Sequence, residues 1–356
     1  MKKRRKKYLN SLIFLISFIT LIILYIQPSN EPLLVSYTDT GQILPVELEN
    51  LNFQNWPKCQ NPSKYTYYIK SHFTKGEKRR NWIRNSWGKD KKLVFISFGG
   101  FKNEDDSNLN HPRDYHKDDM LIIDEIYEKR EFLSFKIAAG LYHAKICHNS
   151  NQNHVVMTDD DIYFWTEKLE SDIDRIWNLE TVEARGHIRY NDPPIRPNSF
   201  LNDKINPLFN PTVTRYGISK EMFYPDKLPP YFIGAGYIIS NKAVSKIGKN
   251  LNKTRLLWQV DDAYVGLLLH DSKVNIVDDD KFLSFEEHKI IKNSKSVNGI
   301  PFQLNIFGKN YYRCDIYNFH GYKVNEIFNR IKDEKCRENK YFRIEQKVLE
   351  EFKMKF

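Results

Sequence analysis

The sequence predicts an α/β fold built on a largely parallel sheet. Short β-prone or apolar runs recur at Tyr65–Ile69, Leu93–Phe98, Met120–Ile123 and His154–Met157. Stretches with helical spacing lie among them, at Glu77–Trp87 and Glu131–Cys147. The run Leu-Val-Phe-Ile-Ser-Phe at 93–98 has the character of a buried strand. Such alternation is the mark of strands crossed over by helices. In sheets of this kind, ligands bind beyond the carboxyl ends of the strands.

Taken in order, the chain begins with an address. Lys2, Lys3, Arg4, Arg5, Lys6 and Lys7 precede the apolar run Leu9–Ile26. As a helix, that run would span roughly 27 Å, close to the ~30 Å hydrocarbon core of a bilayer. The upstream positive charge places the N-terminus in the cytosol. The exit Tyr25-Ile26-Gln27-Pro28 lacks the small residues that signal cleavage prefers. The expectation is a cytosolic tail at 1–8, a transmembrane signal anchor at 9–26 and a luminal stem at 27–62. The stem carries Pro28, Pro32, Pro45, Pro57 and Pro62. A luminal domain is expected to follow at 63–356.

The net charge of the 356 residues is +10, and the tail supplies six of those charges. The remainder is only mildly basic, so composition gives no warrant for a nucleic-acid surface. The cysteines are Cys59, Cys147, Cys314 and Cys336. They allow three fully paired connectivities, and without a C-x-x-C there is no thiolate zinc pattern. Asn252-Lys253-Thr254 is a glycosylation acceptor sequence.

Five segments carry candidate chemistry. Asp159-Asp160-Asp161 ends an apolar strand. Crowded carboxylates repel, and oxygen ligands favour Mg²⁺ or Mn²⁺; an acidic turn capping the next helix is the plainer reading. Asp278-Asp279-Asp280 follows Val274–Val277 and offers the same chemistry. Arg80 and Arg84 are four apart on a helix, and guanidinium forks suit phosphate. Pro229 to Ser240 mixes aromatics with a Gly234-Ala235-Gly236 kink, where backbone can approach a ligand. Asp261-Asp262 opens an apolar helix, as caps or as a general base.

Four of these segments, taken together and in chain order, resemble the β-1,3-galactosyltransferase family, which includes β-1,3-N-acetylglucosaminyltransferases and is related to the fringe enzymes. Arg80, Ile83, Arg84, Ser86 and Trp87 fit its R-x-x-I-R-x-[ST]-W pattern. Asp159 to Tyr163 fit D-D-D-[VI]-[FY]. Pro229, Tyr231, Gly234, Gly236, Tyr237 and Ser240 fit its Y-P-x-Y-x-x-G-x-G-Y-x-x-S segment, with Leu228 in place of the first tyrosine. Asp262, Tyr264 and Gly266 fit the last, E-D-V-Y-x-G.

The resemblance implies one Rossmann-like nucleotide-sugar transferase domain of the GT-A type behind the transmembrane helix. It implies inverting transfer of galactose or an N-acetylhexosamine from a UDP-sugar to a glycan on protein or lipid, forming a β-1,3 linkage. The implied cofactor is Mn²⁺, with Mg²⁺ as substitute, and the implied location is the Golgi membrane, domain luminal. Asp159, Asp161 and a late histidine, His320 in preference to His288, would hold the metal. Arg80, Arg84, Asp160, Gly234 and Gly236 would bind the donor. Tyr231, Tyr237 and Asp261 would line the sugar or acceptor side, and Asp262 would be the base. In the resemblance the second triplet has no metal role and becomes a solvated turn. Met157 stands where the family has Lys or Arg, Phe232 where cysteine is common, and Asp261 replaces Glu. Those departures leave one alternative, a lectin-like or chaperone domain that keeps the fold without turnover.

Overall fold

The computed structural model describes residues 48–59, 63–100, 111–147, 153–176, 182–196, 216–220, 222–257 and 260–282. Four further strands are described at 303–306, 309–313, 318–320 and 341–343. The expected tail and anchor lie outside these residues, as do Cys314, Cys336 and His288. Among the described residues no helix is long and apolar enough to cross a membrane.

Nine strands and five helices build the body: β1 (Phe53–Asn55), β2 (Tyr65–Lys70), α1 (Glu77–Asn85), β3 (Lys92–Gly100), β4 (Met120–Tyr127), α2 (Leu133–Cys147), β5 (His154–Asp159), β6 (Ile162–Phe164), α3 (Thr166–Ile176), β7 (Ala184–Arg189), β8 (Tyr231–Ser240), α4 (Asn241–Gly248), α5 (Asp261–Asp271) and β9 (Ile276–Asp278). Eight of the strands form one mixed sheet in the order β1-β4-β3-β2-β5-β8-β7-β9. The central block β4-β3-β2-β5 is parallel, as the sequence predicts. β8 runs antiparallel to both β5 and β7.

Alternate residues of the central strands feed two cores, one on each face. Tyr68, Ile96, Leu121, Val155 and Met157 pack with α2, α4 and α5. Tyr67, Ile69, Phe95, Ile122 and Val156 pack with Ile83, Trp87, Phe164 and Leu169 on the other side. A sheet buried on both faces needs continuously apolar strands, which is why 93–98 reads as it does.

The structure corrects the boundary placed at residue 63. A short 3-10 turn at Leu48–Asn50 and β1 already belong to the fold. Leu48 is 1% exposed, β1 pairs antiparallel with β4, and Trp56 packs against Tyr142 and His143. Cys59 is disulfide-bonded to Cys147 at the end of α2, which ties this strap to the body. With its sulfurs joined, the Cys59–His143–Cys147 group is no thiolate metal site.

Candidate active site

The carboxyl ends of β2 and β5, the start of β8 and the first turn of α5 border one cleft of about 1200 Å³. Asp159, Asp160 and Asp161 lie on its floor, and Asp261, Asp262, Gly234 and Tyr231 also line it. Asp159 ends β5 and Asp160-Asp161 form the turn into β6, so the triplet does not cap a helix. Asp160 is the buried member. Its carboxylate accepts from Ser71 Oγ and from Arg79 Nη1, each at 2.8 Å, and Arg79 also stands 3.8 Å from Asp161.

Lys70 ends β2 directly beside Asp159 in register. Its buried ammonium pairs with Asp159 at 3.0 Å and with Asp261. Burial alone would lower the lysine's pKa, but the Asp159 and Asp261 charges hold it well above the ordinary value. Burial raises the Asp159 carboxyl to about 6, helped by the Asp261 and Asp161 charges and opposed by Lys70. Burial likewise raises Asp262 to about 7, helped by Asp261 and Asp159 and opposed by Lys70 and the Gly234 N–H.

Asp262 sits in the first turn of α5 but does not cap that helix with its side chain. Its Oδ2 accepts from the Gly234 backbone N–H on β8 at 3.0 Å. Gly234 is glycine for a steric reason: a Cβ there would meet Asp262 Oδ1 at 2.3 Å. Gly266, one helical turn on, does the same for β8, since a Cβ there would lie 2.6 Å from the Tyr231 Cβ. The glycines of the two motifs thus let strand and helix close on each other and fix the carboxylate between them.

Several expected residues lie elsewhere. Arg80 and Arg84 do not reach the cleft. Arg80 is 0% exposed, its guanidinium shared among both oxygens of Asp114, Ser71 Oγ and the carbonyls of His72 and Phe73. Arg84 is paired with Asp119 and Asp114. Neither has a fork left for a phosphate, and Arg79 lines the cleft in their place. Tyr237 is also not a lining residue: it is buried, stacked on Phe232, behind the carboxylates. Gly236 likewise falls outside the lining. The second triplet is not simply a solvated turn, because Asp279 is buried and pairs with Arg185 at 3.1 Å. Asn252 lies on an exposed turn after α4, with the Thr254 hydroxyl donating to Asp271.

His320 enters through its backbone. The strand Asn318–His320 pairs antiparallel with β6, with His320 opposite Ile162, the residue after Asp161. Sequence reasoning missed Lys70, Ser71, Arg79 and the Arg189–Asp192 pair. Lys70 had a signal, since it follows the apolar run 65–69 at the end of a strand where ligands gather.

Residues 78–280, more than half of the chain, match the family model described as galactosyltransferase. The chain belongs to the galactosyltransferase family. Among curated relatives it is 28% identical over 140 residues to a rat (Rattus norvegicus) lactosylceramide 1,3-N-acetyl-beta-D-glucosaminyltransferase, covering 38% of this chain and 32% of that protein. A zebrafish (Danio rerio) lactosylceramide 1,3-N-acetyl-beta-D-glucosaminyltransferase A is 23% identical over 207 residues, 53% of this chain and 50% of its own. The chain thus spans half or less of the length of these two relatives. Among solved structures, a mannosyltransferase of Pyrobaculum calidifontis in complex with GDP-mannose and Mn²⁺ superposes with a TM-score of 0.32 at 15% identity, over 65% of this chain and 59% of that one. The galactosyltransferase LgtC, in complex with donor and acceptor sugar analogues, gives 0.31 at 10% identity over 62% and 75%.

Proposed function

We propose that this family member is a metal-dependent inverting glycosyltransferase that moves galactose or an N-acetylhexosamine from a UDP-sugar to a glycan hydroxyl, forming a β-1,3 linkage. One observation carries the reading. The carboxylate triplet and the Asp261–Asp262 pair share one cleft; Lys70 bridges Asp159 to Asp261, and the neighbouring Asp262 has a raised pKa. The donor set at Asp159 and Asp161 is all oxygen and crowded with negative charge, which fits a hard divalent cation such as Mn²⁺ or Mg²⁺. His320 is the third ligand in this reading, brought next to the triplet by its strand. When bound, the cation would offset the charge that builds on the UDP leaving group.

The chain's own groups do the rest. Arg79 and Ser71 hold the Asp160 carboxylate at the floor, where it can accept from the donor's ribose. Lys70 draws Asp261 toward Asp159, while the Gly234 N–H holds Asp262 toward β8. Asp262, with its pKa near 7, takes the proton of the acceptor hydroxyl as that oxygen attacks the anomeric carbon. The bond from that carbon to the diphosphate breaks with its electrons on the leaving group. One displacement with one base inverts the centre.

Two of the departures from the family pattern fall away from this chemistry, while the third, Asp261, stands in the cleft and pairs with Lys70. Met157 and Phe232 are 0% exposed and pack in the core. Substitution there repacks apolar contacts and leaves the cleft's donors in place. The membrane anchor and luminal topology belong to the same proposal and rest on the N-terminal sequence; Golgi residence is proposed from the family resemblance together with that anchor. The test is UDP release from UDP-galactose and UDP-N-acetylglucosamine with β-galactoside and β-N-acetylglucosaminide acceptors. Release that requires Mn²⁺ and is lost in Asp262→Asn supports the reading. Release that persists in Asp262→Asn overturns the assignment of the base.

A further inference from the structure

The wall of the cleft beyond Asp262 carries a second polar group. Tyr231 on β8 donates its hydroxyl to Asp192 Oδ2 at 2.6 Å, and Arg189 Nε, from the end of β7, lies 2.7 Å from the same oxygen. Arg189 and Tyr231 are register partners, which fixes both at the rim. Asn191 turns the chain between them in the left-handed region, at φ 58°, a conformation asparagine tolerates better than most residues. That turn brings Asp192 back over Tyr231. All three residues line the cleft.

The bonding pattern leaves specific valences open. Both contacts land on Oδ2, so among the described residues Asp192 Oδ1 has no partner. Arg189 faces that oxygen through Nε, its two terminal amines have no hydrogen-bond partner among the described residues, and its side chain is half exposed. One open acceptor oxygen therefore stands beside open donors. A sugar hydroxyl both donates and accepts, so adjacent hydroxyls on one ring complement this arrangement. A phosphate or a carboxylate would not, because Asp192 would repel it.

Position says which sugar. Lys70 joins Asp159 to Asp261, the helix that Asp262 opens packs through Gly266 on Tyr231, and Tyr231 is bonded to Asp192 beside Arg189, so the cleft runs in that order. An attacking hydroxyl must lie between Asp262 and the donor's anomeric carbon. The rest of the acceptor ring then extends away from the triplet, toward Asp192. We infer that Asp192 and Arg189 read the hydroxyls flanking the attacked one on the acceptor pyranoside, making Asp192 a specificity-determining residue. This rests on the transferase reading above.

The experiment uses the full-length protein with UDP and Mn²⁺. Methyl β-galactoside, methyl β-glucoside and methyl β-N-acetylglucosaminide, with the 2-deoxy and 4-deoxy galactosides, are the probes. Their binding is followed by saturation-transfer NMR and titration. Wild type should bind at least one parent glycoside and weaken about ten- to a hundredfold when a flanking hydroxyl is removed, the range for a hydrogen bond to a charged group. In Asp192→Asn, whose amide oxygen accepts more weakly than a carboxylate, the parent should weaken and the deoxy penalty should shrink to about tenfold or less, with UDP–Mn²⁺ affinity within twofold of wild type. Arg189→Met should show the same pattern. Retention of the full deoxy penalty in Asp192→Asn, or no binding of any glycoside to wild type, overturns the inference. Absence of UDP–Mn²⁺ binding to wild type is a different result, and overturns the donor reading instead.

Discussion

Arg79 and Arg80 are neighbours in sequence with opposite surroundings. Arg80 is sealed in with Asp114, so Arg80→Met leaves a buried carboxylate with only Arg84 to answer it. The expected cost is about 3–5 kcal/mol, read as a lower midpoint in urea unfolding. Arg79→Met at the half-exposed rim should change stability by less than about 1 kcal/mol yet weaken UDP–Mn²⁺ binding. Asp262 makes a pH prediction. Its carboxyl is raised to about 7, and a base must be ionised, so kcat/KM should climb with pH through that region. The same shift has a stability sign. The folded state holds the proton more tightly than the unfolded chain, so stability from this group is greatest below about pH 4 and is lost as pH rises through about 7. Asp262→Asn should therefore melt higher than wild type at pH 8 while losing transfer; a lower melting temperature at that pH would count against a desolvated carboxylate.

At the scale of elements, the site depends on two close approaches and one strap. Gly234→Ala pushes a methyl into Asp262 Oδ1. A displacement of even 1 Å costs about a hundredfold in rate, so turnover should fall by at least that much while the fold persists. The strap at 48–59 is held by β1 on β4 and by Cys59–Cys147, which closes a long loop. Cys59→Ser should cost about 2–4 kcal/mol. Deleting residues 48–59 should cost more, since it also exposes the core around Leu48 and Trp56. A thermal melt of both variants checks the order. The strap was not legible in the sequence because three residues of strand lie in a proline-bearing segment and take their structure from β4, not from local pattern. The parallel block was legible because a sheet covered on both faces demands runs such as 93–98.

At the scale of the molecule, the fold brings segments far apart in sequence to one end of the sheet. Lys70, Asp159, Gly234 and Asp262 meet because they lie at strand ends, or on the helix packed against them, facing one cleft. The triplet, the glycine kink and the Asp261–Asp262 pair were singled out in advance by the family resemblance, because by residue chemistry alone a cap or an acidic turn was the plainer reading and Asp278-Asp279-Asp280 offered the same chemistry. Lys70 was not, because a lysine at a strand end is commonplace until Asp159 and Asp261 are found around it. Arg80 and Arg84 misled for a related reason. Helical spacing puts two residues on one face but does not say whether that face meets the cleft or the interior. The central claim is that one cleft holds donor, metal and base together. The most direct measurement is UDP release by the full-length protein, wild type and Asp262→Asn, with Mn²⁺ and with EDTA. Mn²⁺-dependent release in wild type, and none in a variant that still binds UDP–Mn²⁺, is the expected result. Release that continues in EDTA, or loss of UDP–Mn²⁺ binding in a folded Asp262→Asn, would contradict it.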